Sequence, residues 1–239
     1  MTVQNHSCNA AVAGSASEPA RGGAPDLTLE RAQFEAGALV VGAVDEVGRG
    51  CLAGPVSIGL VLINAATPEP PVGVRDSKQL SALARADLAP LIRGWALAAA
   101  VAHASANEID KLGIIGALRL ATHRALAVVQ RQHQIDVLLL DGSHDWLTGP
   151  PRMPRVIMQV KGDQTCATIA AASIIAKHER DQIMTELAPR HPEYNWNSNK
   201  GYGTADHMAA LAQNGPTKWH RRSWNLVKKQ WGALINECG

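Results

Sequence analysis

The sequence predicts an α/β protein in which helices flank a five-stranded mixed sheet, with a small helical extension at the C-terminus. Three observations lead there. Strand-length apolar runs recur at 38–45, 55–63 and 135–141. Around them, apolar residues fall at helical spacing near 81–92, 115–132 and 165–187. The run IDVLLLD at 135–141 is apolar almost throughout, as in strands of a parallel sheet covered on both faces.

Residues 1–36 are rich in Ala, Ser, Gly and Pro with no sustained period, which predicts a disordered leader. They do not read as a secretory signal, and scarce Arg makes them a poor transit peptide. Strand one is placed at about 38–45 and strand two at 55–63. Their link is too short for a crossover helix, so they pair antiparallel. A proline-rich loop follows, then a helix capped by Ser81 that turns Ala84, Leu88, Leu91 and Ile92 inward. Trp95 to Ala104 reads as strand three. Asn107 caps a short helical turn, and the helix at 115–132 sets Leu118, Ala121, Ala125 and Val128 on one face. Strand four ends on Asp141. Strand five runs from Arg155 to Val160. The helix from Thr165 to Leu187 presents Ala170, Ala171, Ser173 and Ile174 to the sheet. The expected division is a leader at 1–36, the α/β domain at 37–190 and a basic extension at 191–239.

The 239 residues suffice for one domain with a real core, and the net charge of +2 excludes a global polycation. Cys8, Cys51, Cys166 and Cys238 form no C-x-x-C pair, which argues against zinc or a disulfide framework and fits a reducing, cytoplasmic setting. No apolar run approaches the roughly 20 residues of a membrane span, so no membrane partner is expected.

The chemistry concentrates where strands end. Asp45 and Glu46 close strand one, Asp141 closes strand four, and Asp163 lies just past strand five. If strands one and four are parallel neighbours, their acids meet at the carboxyl ends, where open α/β sheets place sites. Clustered carboxylates raise one another's pKa. Two hard divalent cations, Mn²⁺ or Mg²⁺, would relieve that repulsion. Such a pair can clamp the attacking and leaving oxygens of a phosphodiester. One difficulty is geometric: neighbouring strand residues face opposite ways, so the strand must bend or stop at Asp45 and Glu46, which Gly48 would permit. Gly48, Arg49 and Gly50 let the backbone approach a phosphate or sugar beneath a cation. Taken alone, Asp-Glu is as readily a solvated turn, and Gly-Arg-Gly a tight one.

Residues 196–239 hold six cations, Lys200, Lys218, Arg221, Arg222, Lys228 and Lys229, against Asp206 and Glu237. Trp196, Tyr202, Trp219, Trp224 and Trp231 are interleaved. That mixture suits a nucleic-acid backbone, or equally a solvated helical tail with buried tryptophans.

These segments together resemble the bacterial ribonuclease HII family over about 39–227. The resemblance rests on VDEVGRG at 44–50, AGPV at 53–56, DSKQLS at 76–81, LLDG at 139–142 and KGD at 161–163. AAASIIAKHERD at 170–181, KGYGT at 200–204 and HRRSW at 220–224 extend it. It implies a ribonuclease-H-like fold, a metal-binding acidic tetrad at Asp45, Glu46, Asp141 and Asp163, and substrate contacts from Gly48, Arg49, Gly50 and Tyr202. The implied activity is endonucleolytic cleavage of the RNA strand of RNA–DNA hybrids. It extends to nicking 5′ of single ribonucleotides in duplex DNA, leaving 3′-hydroxyl and 5′-phosphate ends. The backbone at 48–50 would read the 2′-hydroxyl, and Tyr202 would stack on the neighbouring deoxyribose or hydrogen-bond to the 2′-hydroxyl. Cys51, Gly203 and Trp224 depart from the family's usual residues without touching the acids. A monomer is the simplest expectation. Lys78, Lys161 and Lys177 are candidate phosphate contacts or solvated cations. Ser173 reads as capping or packing, and His144 and His178 as solvated or satisfied.

Three other readings fit the residues less well. A dinucleotide-binding site at Gly48-x-Gly50 misses the fingerprint spacing and is followed by a strand, not a helix. A hybrid-binding module without catalysis gains nothing from four acids facing phosphates. Ribonuclease HIII carries a folded N-terminal domain for which 36 low-complexity residues are too few.

Overall fold

The computed structural model describes residues 23–149, 153–224 and 226. The first element is helix α1 (Thr28–Glu35), with Leu27 and Glu30 buried. The expected disorder of the leader therefore does not hold for Thr28–Glu35. Leu27, Leu29 and Phe34 supply the apolar contacts that order a segment of otherwise polar composition. Residues 1–22 of the expected leader lie outside the described residues.

Strands β1 (Val40–Val47) and β2 (Val56–Asn64) pair antiparallel, as the short link requires. Helix α2 (Ala82–Trp95) starts at Ser81, whose side chain accepts from the Ala84 amide at 3.1 Å. Arg85, Leu88, Ala89 and Ile92 are its buried positions, whereas Leu91 is 57% exposed, against expectation. Trp95 belongs to this helix, and β3 (Ala98–Ala104) begins later than the sequence suggested. Helix α3 (Ala106–Val129) is capped by Ser105 in a reciprocal box with Glu108, not by Asn107. The expected turn and helix are one element broken at Gly113, where φ is +70°. Leu118, Ala121 and Ala125 are buried, but Val128 is 56% exposed. By length and composition α3 could cross a membrane, contrary to the expectation that no segment would. Its buried face instead packs on the sheet with Leu60, Leu62 and Leu138.

Strands β4 (Val137–Asp141) and β5 (Arg155–Gln159) add on in parallel, giving the order β3-β2-β1-β4-β5. A one-turn helix α4 (Gly162–Thr165) leads into the long α5 (Ala167–Leu187). The sheet thus separates two apolar layers. Val44, Leu138 and Leu140 meet α3 on one face. On the other, Val61 meets α2 and α5, and Val41, Ala43 and Leu139 meet the start of α5. Helix α5 comes very close. A Cβ at Gly59 would stand 2.0 Å from the Ala172 carbonyl oxygen, so only glycine fits opposite the Ala-Ala-Ala-Ser run.

Beyond α5 the chain forms α6 (Trp196–Asn199) and α7 (Ala205–Asn214). Tyr194 and Trp196 are buried and stacked, with ring centroids 5.3 Å apart. Of the basic and aromatic residues singled out there, Trp196 and Arg221 are therefore core groups. Lys218 and Arg222 are exposed. Lys228, Lys229 and Trp231 lie outside the described residues.

Candidate active site

Parallel register decides where the acids go. Val44 of β1 pairs with Leu140 of β4. The next residues on the two strands are Asp45 and Asp141, and alternation turns both toward α5. The strand does not bend or stop there, as the sequence reading required. It runs on through Glu46, opposite Ile58, and Val47, opposite Ser57. Alternation therefore assigns Glu46 to the opposite face, where its Oε1 accepts from Arg49 at 3.2 Å. Asp163 sits in α4, buried, and its Oδ2 accepts from Lys78 Nζ at 3.1 Å. The Gly162 amide donates to Asp141 Oδ1 at 2.7 Å, joining the end of β4 to the Asp163 turn.

The electrostatics show that these groups feel one another. Burial, with Glu46, Asp141 and Asp163 adding repulsion, pushes Asp45 up to about 8, while a hydrogen bond from Ser173 opposes the rise. Burial also raises Glu46, against relief from Arg49, and Asp141 adds to the rise. Asp141 is raised by burial and by Asp163, against the Gly162 amide. Among the described residues no three carboxylates, imidazoles or thiols stand close enough to enclose an ion. The donors nevertheless fit a hard divalent cation in kind: they are oxygen-only and anionic, and their mutual repulsion calls for positive charge. Arg49 and Lys78 partly supply it. Lys78 is exposed, and burial pulls its ammonium down, but the bond to Asp163 and the charges of Asp163, Asp76 and Asp45 outweigh that and hold it above its usual value.

Ser173 does more than pack. Its hydroxyl meets Ser77 at 2.8 Å, tying α5 to the Asp76-Ser77-Lys78 turn beside Asp45. Lys177 bonds to Asp181 at 2.7 Å. Lys161 is the αL residue that opens the Asp163 turn (φ 56°), and it is exposed. His144 is exposed, with a contact only to neighbouring Ser143, and His178 is half-buried on α5.

The Gly48-Arg49-Gly50 loop is held from below. Gly48 adopts φ +81°, and a Cβ there would stand 1.9 Å from Arg180 Nε. Arg180 donates to the carbonyls of Pro55 (2.9 Å), Lys200 (2.9 Å) and Ala53 (3.2 Å). Arg221 donates to Arg49 (2.7 Å) and Gly48 (2.6 Å). Both guanidiniums are fully buried. Burial brings Arg221 down to about 10, still charged at neutral pH. The sequence reading gave Arg180 no role and counted Arg221 only among the basic residues suited to a nucleic-acid backbone, whereas both are buried supports of this loop.

Tyr202 is 40% exposed and its segment is held to the chain just past that loop, where Gly201 accepts from the Leu52 amide at 2.8 Å. Lys177 Nζ and Arg180 Cζ lie 5.8 and 5.9 Å from its ring centre. Burial pushes its hydroxyl up to about 12, so it stays protonated. A buried His207 Nδ1 meets the Tyr202 carbonyl at 2.9 Å, and its Nε2 meets His220 at 3.1 Å.

Among solved structures, ribonuclease H2 from Pyrococcus horikoshii superposes with a TM-score of 0.64 at 23% identity, covering 82% of this chain and 99% of that one. Bst-RNase HIII in complex with Mn²⁺ gives 0.63 at 19%, covering 86% and 73%. The five-stranded mixed sheet with acids at its parallel strand ends defines a protein of the ribonuclease-H-like fold. Sequence comparison narrows this. A ribonuclease HII family model matches residues 42–227. Ribonuclease HII of Streptomyces avermitilis is 45% identical over 213 residues, 88% of each chain. The chain belongs to the ribonuclease HII family.

Proposed function

We propose that the protein cuts the RNA strand of RNA–DNA hybrids and nicks 5′ of single ribonucleotides embedded in duplex DNA, leaving 3′-hydroxyl and 5′-phosphate ends. The observation that carries this reading is Asp45: a buried carboxyl one residue past the Val44–Leu140 pair, as Asp141 is, under repulsion from Glu46, Asp141 and Asp163. Asp45, Glu46, Asp141 and Asp163 would hold two divalent cations, Mn²⁺ or Mg²⁺; the structural relative with Mn²⁺ supports the ion class. Bound there, such ions supply an acidified water and neutralise charge on the leaving oxygen.

The chain's own residues do the rest. Arg180 and Arg221 fix the carbonyls of 48–55, so the loop's remaining polar groups are presented rigidly to a 2′-hydroxyl. Arg49, paired with Glu46 at 3.2 Å and half exposed, would offer its guanidinium to a phosphate. Tyr202 offers an aromatic face to the adjoining sugar. The site needs no second copy of the chain, so a monomer acting in the cytoplasm is the simplest form.

The test is a duplex carrying one ribonucleotide, incubated with Mn²⁺, with Mg²⁺ and with chelator. Cleavage is expected with either ion and none with chelator. Asp45→Asn should abolish turnover while leaving hybrid affinity within about twofold, since an isosteric amide keeps the packing but not the charge. Metal-independent cleavage, or an active Asp45→Asn enzyme, would refute the assignment.

A further inference from the structure

We propose that helix α1 is a positioning element for Asp163 and that Glu30 caps helix α5 from a distance. The inference rests on reading Asp163 as a metal-holding side chain. Helix α1 ends before residue 42, where the family match begins, so it lies outside the family's motifs.

Glu30 is fully buried. Its Oε1 accepts from the Thr168 amide at 2.9 Å, from the Cys166 thiol at 3.1 Å and from the Thr168 hydroxyl. None of these partners is a cation, and the second oxygen is buried without a hydrogen bond among the described residues. A carboxyl held this way is costly. Apolar cover does not require it, because Leu27, Leu29 and Phe34 of the same segment already provide that. What Glu30 supplies is direction. The first turn of α5 has amides with no partner inside the helix and no capping side chain of its own, since Cys166 occupies the cap position and makes no cap bond. Glu30 gives that turn an acceptor and places an acidic group at its positive end.

The backbone around α1 reinforces the grip. The Asp26 amide donates to the Thr165 carbonyl at 3.3 Å, and the Ala167 amide donates to the Asp26 carbonyl at 2.8 Å. Residues 165–168 are therefore bound on both sides of Cys166. Asp163 lies directly upstream, in a turn whose other end is fixed by the Gly162–Asp141 bond. Asp141 holds the near end of the turn and α1 the far end. Loosening α1 would let the Asp163 carboxylate wander relative to Asp141 and Asp45, a misplacement that a shared ion would sense.

The test compares wild type with Glu30→Ala and Glu30→Gln. Mn²⁺ binding is measured by titration calorimetry without nucleic acid, alongside kcat, thermal midpoint and hybrid affinity in chelator. Glu30→Ala should weaken Mn²⁺ binding by about tenfold, as loss of a group that orients a ligand does, and lower kcat, with hybrid affinity unchanged. Glu30→Gln keeps an acceptor for Thr168 and should restore Mn²⁺ binding. A lower midpoint with Mn²⁺ binding and kcat intact would show that α1 only stabilises, overturning the proposal. If the alanine variant does not fold, Glu30→Asp withdraws the carboxyl by one methylene. It should show the same loss of Mn²⁺ binding in smaller measure, and unchanged binding would overturn the proposal too. Asp163→Asn, run in parallel, separates the two levels. Full Mn²⁺ binding there would remove the reading of Asp163 itself, and the role of α1 with it. Weakened binding there with a normal Glu30→Ala would remove the role of α1 alone.

Discussion

Tyr202 shows how much a single side chain can be asked to do. Its ring is half open to solvent, two cations approach its centre, and the backbone beside it is tied to Leu52 and Ala53 through Gly201 and to the core through His207. If the ring is a stacking surface, Tyr202→Phe should cleave single embedded ribonucleotides nearly as well as wild type. Tyr202→Ala should lose roughly tenfold or more in kcat/KM, the scale of an aromatic stacking contact, with an unchanged thermal midpoint. An alanine variant with the wild-type rate on that substrate would contradict the role. The acids of this site were legible in the sequence because carboxylates ending apolar runs demand an explanation. The arginines beneath it were not. Arg180 and Arg221 lie among other charged residues, and only the fold shows that their donors meet carbonyls of the loop. Glu46 was legible as an acid but not as one on the other face of a strand that continues to Val47.

At the scale of elements, the approach of α5 to the sheet sets the depth of the site. Gly59 pairs with Asp45 across β1 and β2, and it admits the Ala172 carbonyl that a side chain would exclude. The same approach brings Ser173 to Asp45. Gly59→Ala should therefore cost about 1–3 kcal/mol, the range for forcing extra volume into a packed core, read as a lower denaturation midpoint. It should also reduce activity, because α5 cannot retreat without carrying Ser173 away. Unaltered stability would mean the helix yields more easily than the contact implies. The small-residue run on α5 was readable from the sequence as a close-packing face, whereas the partner glycine was not singled out. Helix α1 escaped the sequence reading for a different reason: its apolar residues are few, and only the assembled sheet and the start of α5 give them something to cover. Leu91 and Val128 erred in the opposite direction. Helical spacing gives one face, and these two fall at its edge.

For the molecule as a whole, the paired histidines predict a response to acid. Burial lowers His207, and burial together with His207, His191 and Arg222 lowers His220 to about 3. Unfolded histidines titrate near 6.5, so between those values the unfolded chain binds more protons than the folded one. Stability is then fully present above about pH 6.5 and is lost progressively as pH falls toward 3. Urea midpoints measured at pH 7.5 and at pH 5 should fall on acidification. His220→Gln should flatten that dependence, and an equally steep variant would assign it elsewhere.

Asp45 and Asp141 become neighbours only because β4 docks beside β1, after β2, α2, β3 and α3 have intervened. That pairing joins distant parts of the chain, the kind of contact that forms late because a long loop must close first. During synthesis the ribosome has released the amino-terminal half, with its first strands and helices, before the second acid exists at all. The two carboxylates can therefore face each other only once synthesis has passed residue 141 and that closure is complete.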